Sequence, residues 1–241
     1  MNALRDTDVL ILCGGLGKRL RKEIGKSQKV MAKVHGYPFL DHVIRYLKNE
    51  GFRRIILCTG YQAKIVEKYY QVHNQGLMIE FSEEKIPLGT GGAVKNARRL
   101  IRSNPFFVLN GDSFCSVKFN SFIKFHQSKQ AMAAIVISPT KERDDFGSIV
   151  LDQSSKIKAF KEKSPTATGH FVNAGIYCFT QDIFSLMPKD KNFSLEYDFF
   201  PRLVRKRLFG FKVKTRFMDI GTPQRYKEAK SILGKRKSDG D

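Results

Sequence analysis

In the first half of the chain, short unbroken apolar runs alternate with segments whose apolar residues recur every three to four positions. The runs at 9–13, 54–59, 77–81 and 106–109 have the pattern of strands covered on both faces, as in a parallel sheet. Between them, Phe39, Leu40, Val43, Ile44 and Leu47 mark one face of a helix entered after Pro38 and stopped by Gly51. Tyr61, Ile65, Val66 and Tyr69 predict a second helix over 61–70, and Ala93, Val94, Ala97 and Leu100 a third over 91–101. The second half is richer in strands, at 131–137, 147–151, 157–160 and 172–179. Short helices are expected near 181–187 and 195–200, and a last one over 223–233. Strand–helix alternation predicts an α/β fold with a doubly wound, mostly parallel mixed sheet. No repeat or Pro/Ser-rich linker divides the chain, so one domain over 1–234 is expected, its later strands forming a lid or cleft wall.

With 241 residues, 41% of them hydrophobic, the chain can bury a full core. Its 43 Lys+Arg against 23 Asp+Glu give a net charge of +20, which favours anionic partners. The cations are spread along the chain, with no basic stripe and no nucleic-acid-binding motif, so a nucleic-acid partner is not expected. Only residues 235–241 read as a basic, flexible tail. No apolar run reaches the length of a membrane span and no leader segment is evident, so no membrane partner is expected. Cys13, Cys58, Cys115 and Cys178 lack paired spacing and read as reduced core residues of a cytoplasmic protein.

The candidate chemistry begins at the end of the first strand. Leu12 and Cys13 lead into Gly14-Gly15-Leu16-Gly17-Lys18-Arg19, with Lys29 shortly after. Glycines let main-chain N–H groups close on a phosphate, and Arg19 adds a bidentate fork. The loop is neither a Walker A motif, since Arg19 follows Gly17-Lys18, nor a dinucleotide fingerprint, since Leu20 holds the third glycine position. Asp112 ends a buried strand after Asn110-Gly111, where a carboxylate can hold Mg²⁺ against phosphates; Asp219 is a second such candidate. Pro87-Leu88-Gly89-Thr90-Gly91-Gly92 is a second glycine loop, suited to close approach to a base or sugar. Glu84 before it offers two acceptors to the two adjacent donors of guanine, which favours GTP over other NTPs. Glu162, Lys163 and Asn173 supply polar groups at strand edges, Lys163 for a sugar phosphate and the other two for sugar hydroxyls.

Taken in order, Gly14–Leu20, Lys29, Pro87–Gly92, Asn110–Asp112, Glu162-Lys163, Asn173-Ala174-Gly175 and Asp219-Ile220-Gly221 resemble the sugar-1-phosphate nucleotidyltransferase family, from about Asp8 to about Ile232. The resemblance implies the Rossmann-like nucleotide-diphospho-sugar transferase fold, with a nucleotide-binding half over about 1–112 and a sugar-binding half over about 113–234. It implies that a sugar 1-phosphate attacks the α-phosphorus of an NTP and releases pyrophosphate. Arg19, Lys29 and Asp112 would be catalytic. Leu12, Gly14, Gly15, Gly17, Lys18, Glu84, Gly89 and Thr90 would bind nucleotide. Asn110, Gly147, Glu162, Lys163 and Asn173 would bind the sugar phosphate, and Asp112 and Asp219 would hold Mg²⁺. Within the family, the motifs most resemble members that use GTP and a heptose 1-phosphate; mannose 1-phosphate, or UTP or CTP, is the nearest alternative. The chain departs from the family pattern at Lys18, where the family has Thr, and at Gln28-Lys29-Val30, where it has Pro-Lys-Pro. Losing two prolines is expected to loosen Lys29. A catalytically silent nucleotide-sugar-binding subunit is the alternative this motivates. A homo-oligomer is compatible with the sequence.

Overall fold

The computed structural model describes residues 4–25, 27–139, 148–161 and 171–233. Gly147, Glu162, Lys163 and the tail 235–241 lie outside the described residues. The chain runs β1 (Val9–Leu12), α1 (Arg21–Ile24), β2 (Lys33–Val34), β3 (Tyr37–Pro38), α2 (Phe39–Glu50), β4 (Arg54–Thr59) and α3 (Ala63–Val72). It continues through β5 (Met78–Glu83), α4 (Gly89–Asn96), β6 (Phe106–Asn110), β7 (Ser113–Phe114), α5 (Phe119–Ser128) and β8 (Ala133–Pro139). The rest comprises β9 (Ser148–Leu151), β10 (Ile157–Lys161), β11 (Phe171–Phe179), α6 (Ile183–Leu186), α7 (Phe200–Leu203), β12 (Leu208–Lys212), β13 (Met218–Asp219) and α8 (Pro223–Leu233). A π-helical turn, Leu195–Phe199, leads into α7.

Among the described residues, nine strands form one mixed sheet. Strands β5, β4, β1 and β6 are parallel neighbours in that order. Strand β11 then pairs antiparallel with β6, and β8, β9, β10 and β12 follow from it. The later strands therefore continue the central sheet, where the sequence suggested a lid or cleft wall. The alternation of side chains along β1 shows why the sheet is doubly wound. Val9 and Ile11 face the cluster that contains Phe39, Leu40, Val66, Tyr70, Phe119, Phe122 and Tyr226, from α2, α3, α5 and α8. Leu10 faces the opposite cluster, with Val94, Ile183, Leu195, Phe199 and Phe200. Burying both faces explains the unbroken apolar runs.

Helix α5 was not expected, although Phe119, Phe122, Ile123 and His126 are spaced for it and are all buried. Strand β12 was missed too: Gly210 interrupts its apolar pattern, and a Cβ there would lie 2.9 Å from Leu151. At the amino ends of the strands, away from the cleft, buried Asp8 accepts from the N–H groups of Arg102 and Ser103 and pairs with Arg54. Arg54 also donates to Glu80 at 2.6 Å and to the Leu100 carbonyl at 2.6 Å. That network anchors the sheet.

Burial holds the His126 imidazole down, from an ordinary 6.5 to about 4, with the Met132 backbone partly opposing. Between those values the unfolded chain takes up a proton that the folded chain refuses. Stability is therefore lost as pH falls from 6.5 towards 4, by up to about 3 kcal/mol. Urea unfolding at pH 7 and pH 5 should show a loss that His126→Leu largely removes; an undiminished loss in that variant would assign it to other groups.

Candidate active site

The carboxyl ends of β1, β4 and β6 lie side by side, with Leu12 opposite both Cys58 and Asn110. A cleft of about 510 Å³ opens there, the expected place for a ligand in an open α/β sheet. Of the expected residues, Leu12, Gly14, Gly15, Lys29, Glu84, Gly89, Thr90, Asn110 and Asp112 line it. Gly17, Lys18, Arg19, Asn173 and Asp219 do not. Gly17 caps a short 3₁₀ turn, Lys18–Leu20, whose Lys18 and Arg19 side chains are exposed at the rim. Among the described residues, no acceptor takes the N–H groups of Gly15, Leu16 and Gly17.

Four charged side chains from remote parts of the chain meet beside this cleft. Lys29 Nζ forms an ion pair with Asp112 Oδ2. Asp219 arrives through the small antiparallel ladder of β7 and β13, which sets it opposite Ser113, while the Ile220 N–H donates to the Asp112 carbonyl at 3.0 Å. A methyl group built on Gly221 would lie 2.7 Å from Asp219 Oδ1 and 3.6 Å from both Arg19 Nη2 and Lys29 Nζ. Arg19, Lys29, Asp112 and Asp219 thus converge. Burial pushes the Asp112 carboxyl up, but the Lys29 ammonium and hydrogen bonds from Lys29 and Ser113 outweigh it, so Asp112 lies below the usual carboxylate range. Asp219 is raised: burial and the Asp112 charge outweigh the Gly221 N–H, Arg225 and Lys29. Arg225 Nη1 holds Asp219 Oδ2 at 3.1 Å.

Glu84, which also lines the cleft, is half-buried, and burial raises its carboxyl despite a 3.0 Å hydrogen bond from the Leu88 N–H to Oε2. Its Oε1 fills the space beside Gly14, where any Cβ would overlap it. Gly14 therefore makes room for a carboxylate, a role its sequence context did not reveal. Gly89 has φ +71, and a Cβ there would lie 2.6 Å from the Phe193 carbonyl oxygen. Next to it, Thr90 donates to Glu196 Oε2 at 2.6 Å and accepts from the Leu195 N–H at 2.8 Å. Tyr177 donates to Glu196 Oε1 at 2.9 Å, and Asn173 Nδ2 donates to the Tyr177 hydroxyl at 3.0 Å. The expected ligand group Asn173 is thus spent on Tyr177 and on the Gly175 N–H, which donates to its Oδ1 at 2.9 Å.

Glu196, Tyr177, Arg225 and Gln28 were not singled out from sequence as functional. Phe193-Ser194-Leu195-Glu196 carries part of the family resemblance without a role for Glu196, and the link to Thr90 is what gives Glu196 and Tyr177 a place at the site. Gln28 answers the expectation about Lys29. Its side chain accepts the Val30 N–H at 2.6 Å and donates to the Cys13 carbonyl, so a hydrogen-bonded tether stands where the family has stiff prolines.

The nucleotidyl transferase family model matches residues 8–236, and the chain belongs to that family. It is 35% identical over 227 residues to the D-glycero-alpha-D-manno-heptose 1-phosphate guanylyltransferase of Aneurinibacillus thermoaerophilus, covering 94% of this chain and 98% of that one. The enzyme of the same name from Campylobacter jejuni is 33% identical, covering 90% and 96%. HddC from Yersinia pseudotuberculosis superposes with a TM-score of 0.83 at 34% identity, covering 94% of this chain and 99% of that one; it has also been solved in complex with GMP-PN. Among the described residues, no helix is long and apolar enough to cross a membrane.

Proposed function

We propose that the protein transfers a guanylyl group from GTP to D-glycero-α-D-manno-heptose 1-phosphate, giving a GDP-heptose for surface polysaccharide and releasing pyrophosphate. The observation that carries this reading is that one cleft is lined by both the Glu84 carboxylate and the Lys29–Asp112 pair. Glu84 would offer Oε1, and the second lone pair of the Oε2 that takes the Leu88 N–H, to guanine N1–H and the 2-amino group. The unengaged N–H groups of Gly15, Leu16 and Gly17, with Arg19 at the rim, suit the β- and γ-phosphates. Lys29 would neutralise the α-phosphate as charge develops on it, while a sugar-phosphate oxygen attacks in line and pyrophosphate leaves. Asn110 lines the cleft, and its Oδ1 is buried and without a donor among the described residues, an acceptor that a ligand hydroxyl would satisfy once the side chain turns towards the cleft.

Asp112 and Asp219 fit Mg²⁺ as hard oxygen donors brought together at the mouth of the sheet. Among the described residues no third ligating side chain joins them, which suits an ion that completes its shell with phosphate oxygens and water. When bound, it would supply charge neutralisation on the phosphates. Lys163 is proposed to dock the sugar phosphate, Glu162 to accept from a sugar hydroxyl, and Gly147 to line the site.

Pyrophosphate release, measured with each NTP, Mg²⁺ and a panel of sugar 1-phosphates, tests the reading. Turnover fastest with GTP and the heptose phosphate is expected. Faster turnover with mannose 1-phosphate would reassign the sugar, and nucleotide binding without turnover across the panel would make the protein a silent binding subunit.

A further inference from the structure

Gln28 is a fully buried polar side chain one residue away from Lys29. Its backbone is extended, at φ −67 and ψ 137, and it caps the 3₁₀ turn Lys29–Met31. Carboxamide Oε1 accepts from the Val30 N–H and Nε2 donates to the Cys13 carbonyl. Cys13 belongs to the rigid centre of the fold, because its own N–H donates to the Cys58 carbonyl at 2.8 Å, directly beyond the β1–β4 ladder.

The turn is held differently on its two sides. Its exit is secured by the buried Val30 and Ala32 side chains and by the Phe39 N–H, which donates to the Ala32 carbonyl at 2.9 Å. On its entry side Arg21, Lys22, Glu23 and Ser27 are exposed, and among the described residues from 21 to 27 only Ile24 packs against the core. Gln28 supplies the tie there. It joins the Lys29 main chain to the same strand end that begins the glycine loop. The Lys29 ammonium then needs only its long side chain to reach Asp112.

We propose that Gln28 is a positioning residue whose carboxamide holds the Lys29 main chain against the end of β1, so that the ammonium meets the reacting phosphate in a single geometry. The inference rests on the reading of Lys29 given above. A misplaced Lys29 would still see a bound triphosphate by long-range charge, but would match the developing transition-state charge less well. The effect therefore belongs in kcat.

Gln28→Met keeps the volume and removes both hydrogen bonds. It is expected to lower kcat about 10- to 100-fold while KM for GTP and for the sugar 1-phosphate changes less than about threefold. The second measurement repeats Gln28→Met in a Lys29→Arg background, where its effect should shrink to less than about threefold because the group it positions has changed. Should Gln28→Met be unfolded at the assay temperature, Gln28→Glu carries the same test, since it retains the acceptor for the Val30 N–H and loses the donor to Cys13. A kcat within twofold of the unmutated protein, a change confined to KM, or losses that multiply fully with Lys29→Arg would each overturn the proposal. Full activity of Lys29→Ala would instead overturn the role of Lys29 itself, a distinguishable result.

Discussion

Asp112→Asn is expected to lower kcat about a thousandfold, with Lys29→Ala close behind at a hundred- to a thousandfold. Asp112 occupies the point where β6 ends, the Lys29 ion pair forms and Asp219 is delivered. Replacing its charge by an amide removes one of the two carboxylates proposed for Mg²⁺. It also leaves the Lys29 ammonium without its partner. The sign of the Asp112 shift matters here: a carboxyl held below its usual range is ionised throughout neutral pH, so the amide removes a charge that is fully present in the working enzyme. Pyrophosphate release, with far-UV circular dichroism to show an intact fold, checks both variants. Activity of Asp112→Asn within tenfold of the unmutated protein would take this residue out of the catalytic set.

Glu84→Gln is expected to cut kcat/KM for GTP about a hundredfold and to narrow or invert the preference over UTP. A carboxylate accepts both adjacent guanine donors. An amide accepts one and sets its own N–H₂ against the other, leaving a buried donor unpaired, at a cost of about 2–3 kcal/mol. Uracil offers one donor beside an acceptor, which the amide matches. The half-buried Glu84 carboxyl is also raised by desolvation. With the unmutated protein, KM for GTP should therefore rise as pH falls through a range above that of an ordinary glutamate, because protonation removes an acceptor. Steady-state kinetics with both nucleotides across pH test the two statements together. An unchanged GTP:UTP ratio in Glu84→Gln would remove Glu84 from base selection.

Much of this architecture was legible because burial on both faces writes itself into the chain. The runs that became β1, β4 and β6 carry almost no polar residue, and the Phe39–Leu47 stripe places α2 to the residue. Helix α8 likewise spans Pro223–Leu233 as its proline start suggested. Arg19, Lys29, Asp112 and Asp219 were named by residue type and by position after strands. Their local context, a glycine turn or the end of an apolar run, is a short-range property. What sequence order left undecided were relations between segments far apart. That Glu84 occupies the space beside Gly14, that Thr90 is tied through Glu196 to Tyr177 on β11, and that Gln28 takes the place of proline stiffness all depend on contacts across the fold. Local periodicity reports only whether a position faces core or solvent. Which side chains meet in the cleft is decided by strand order and register, which bring the carboxyl ends of β1 and β6 together and pair β13 with β7.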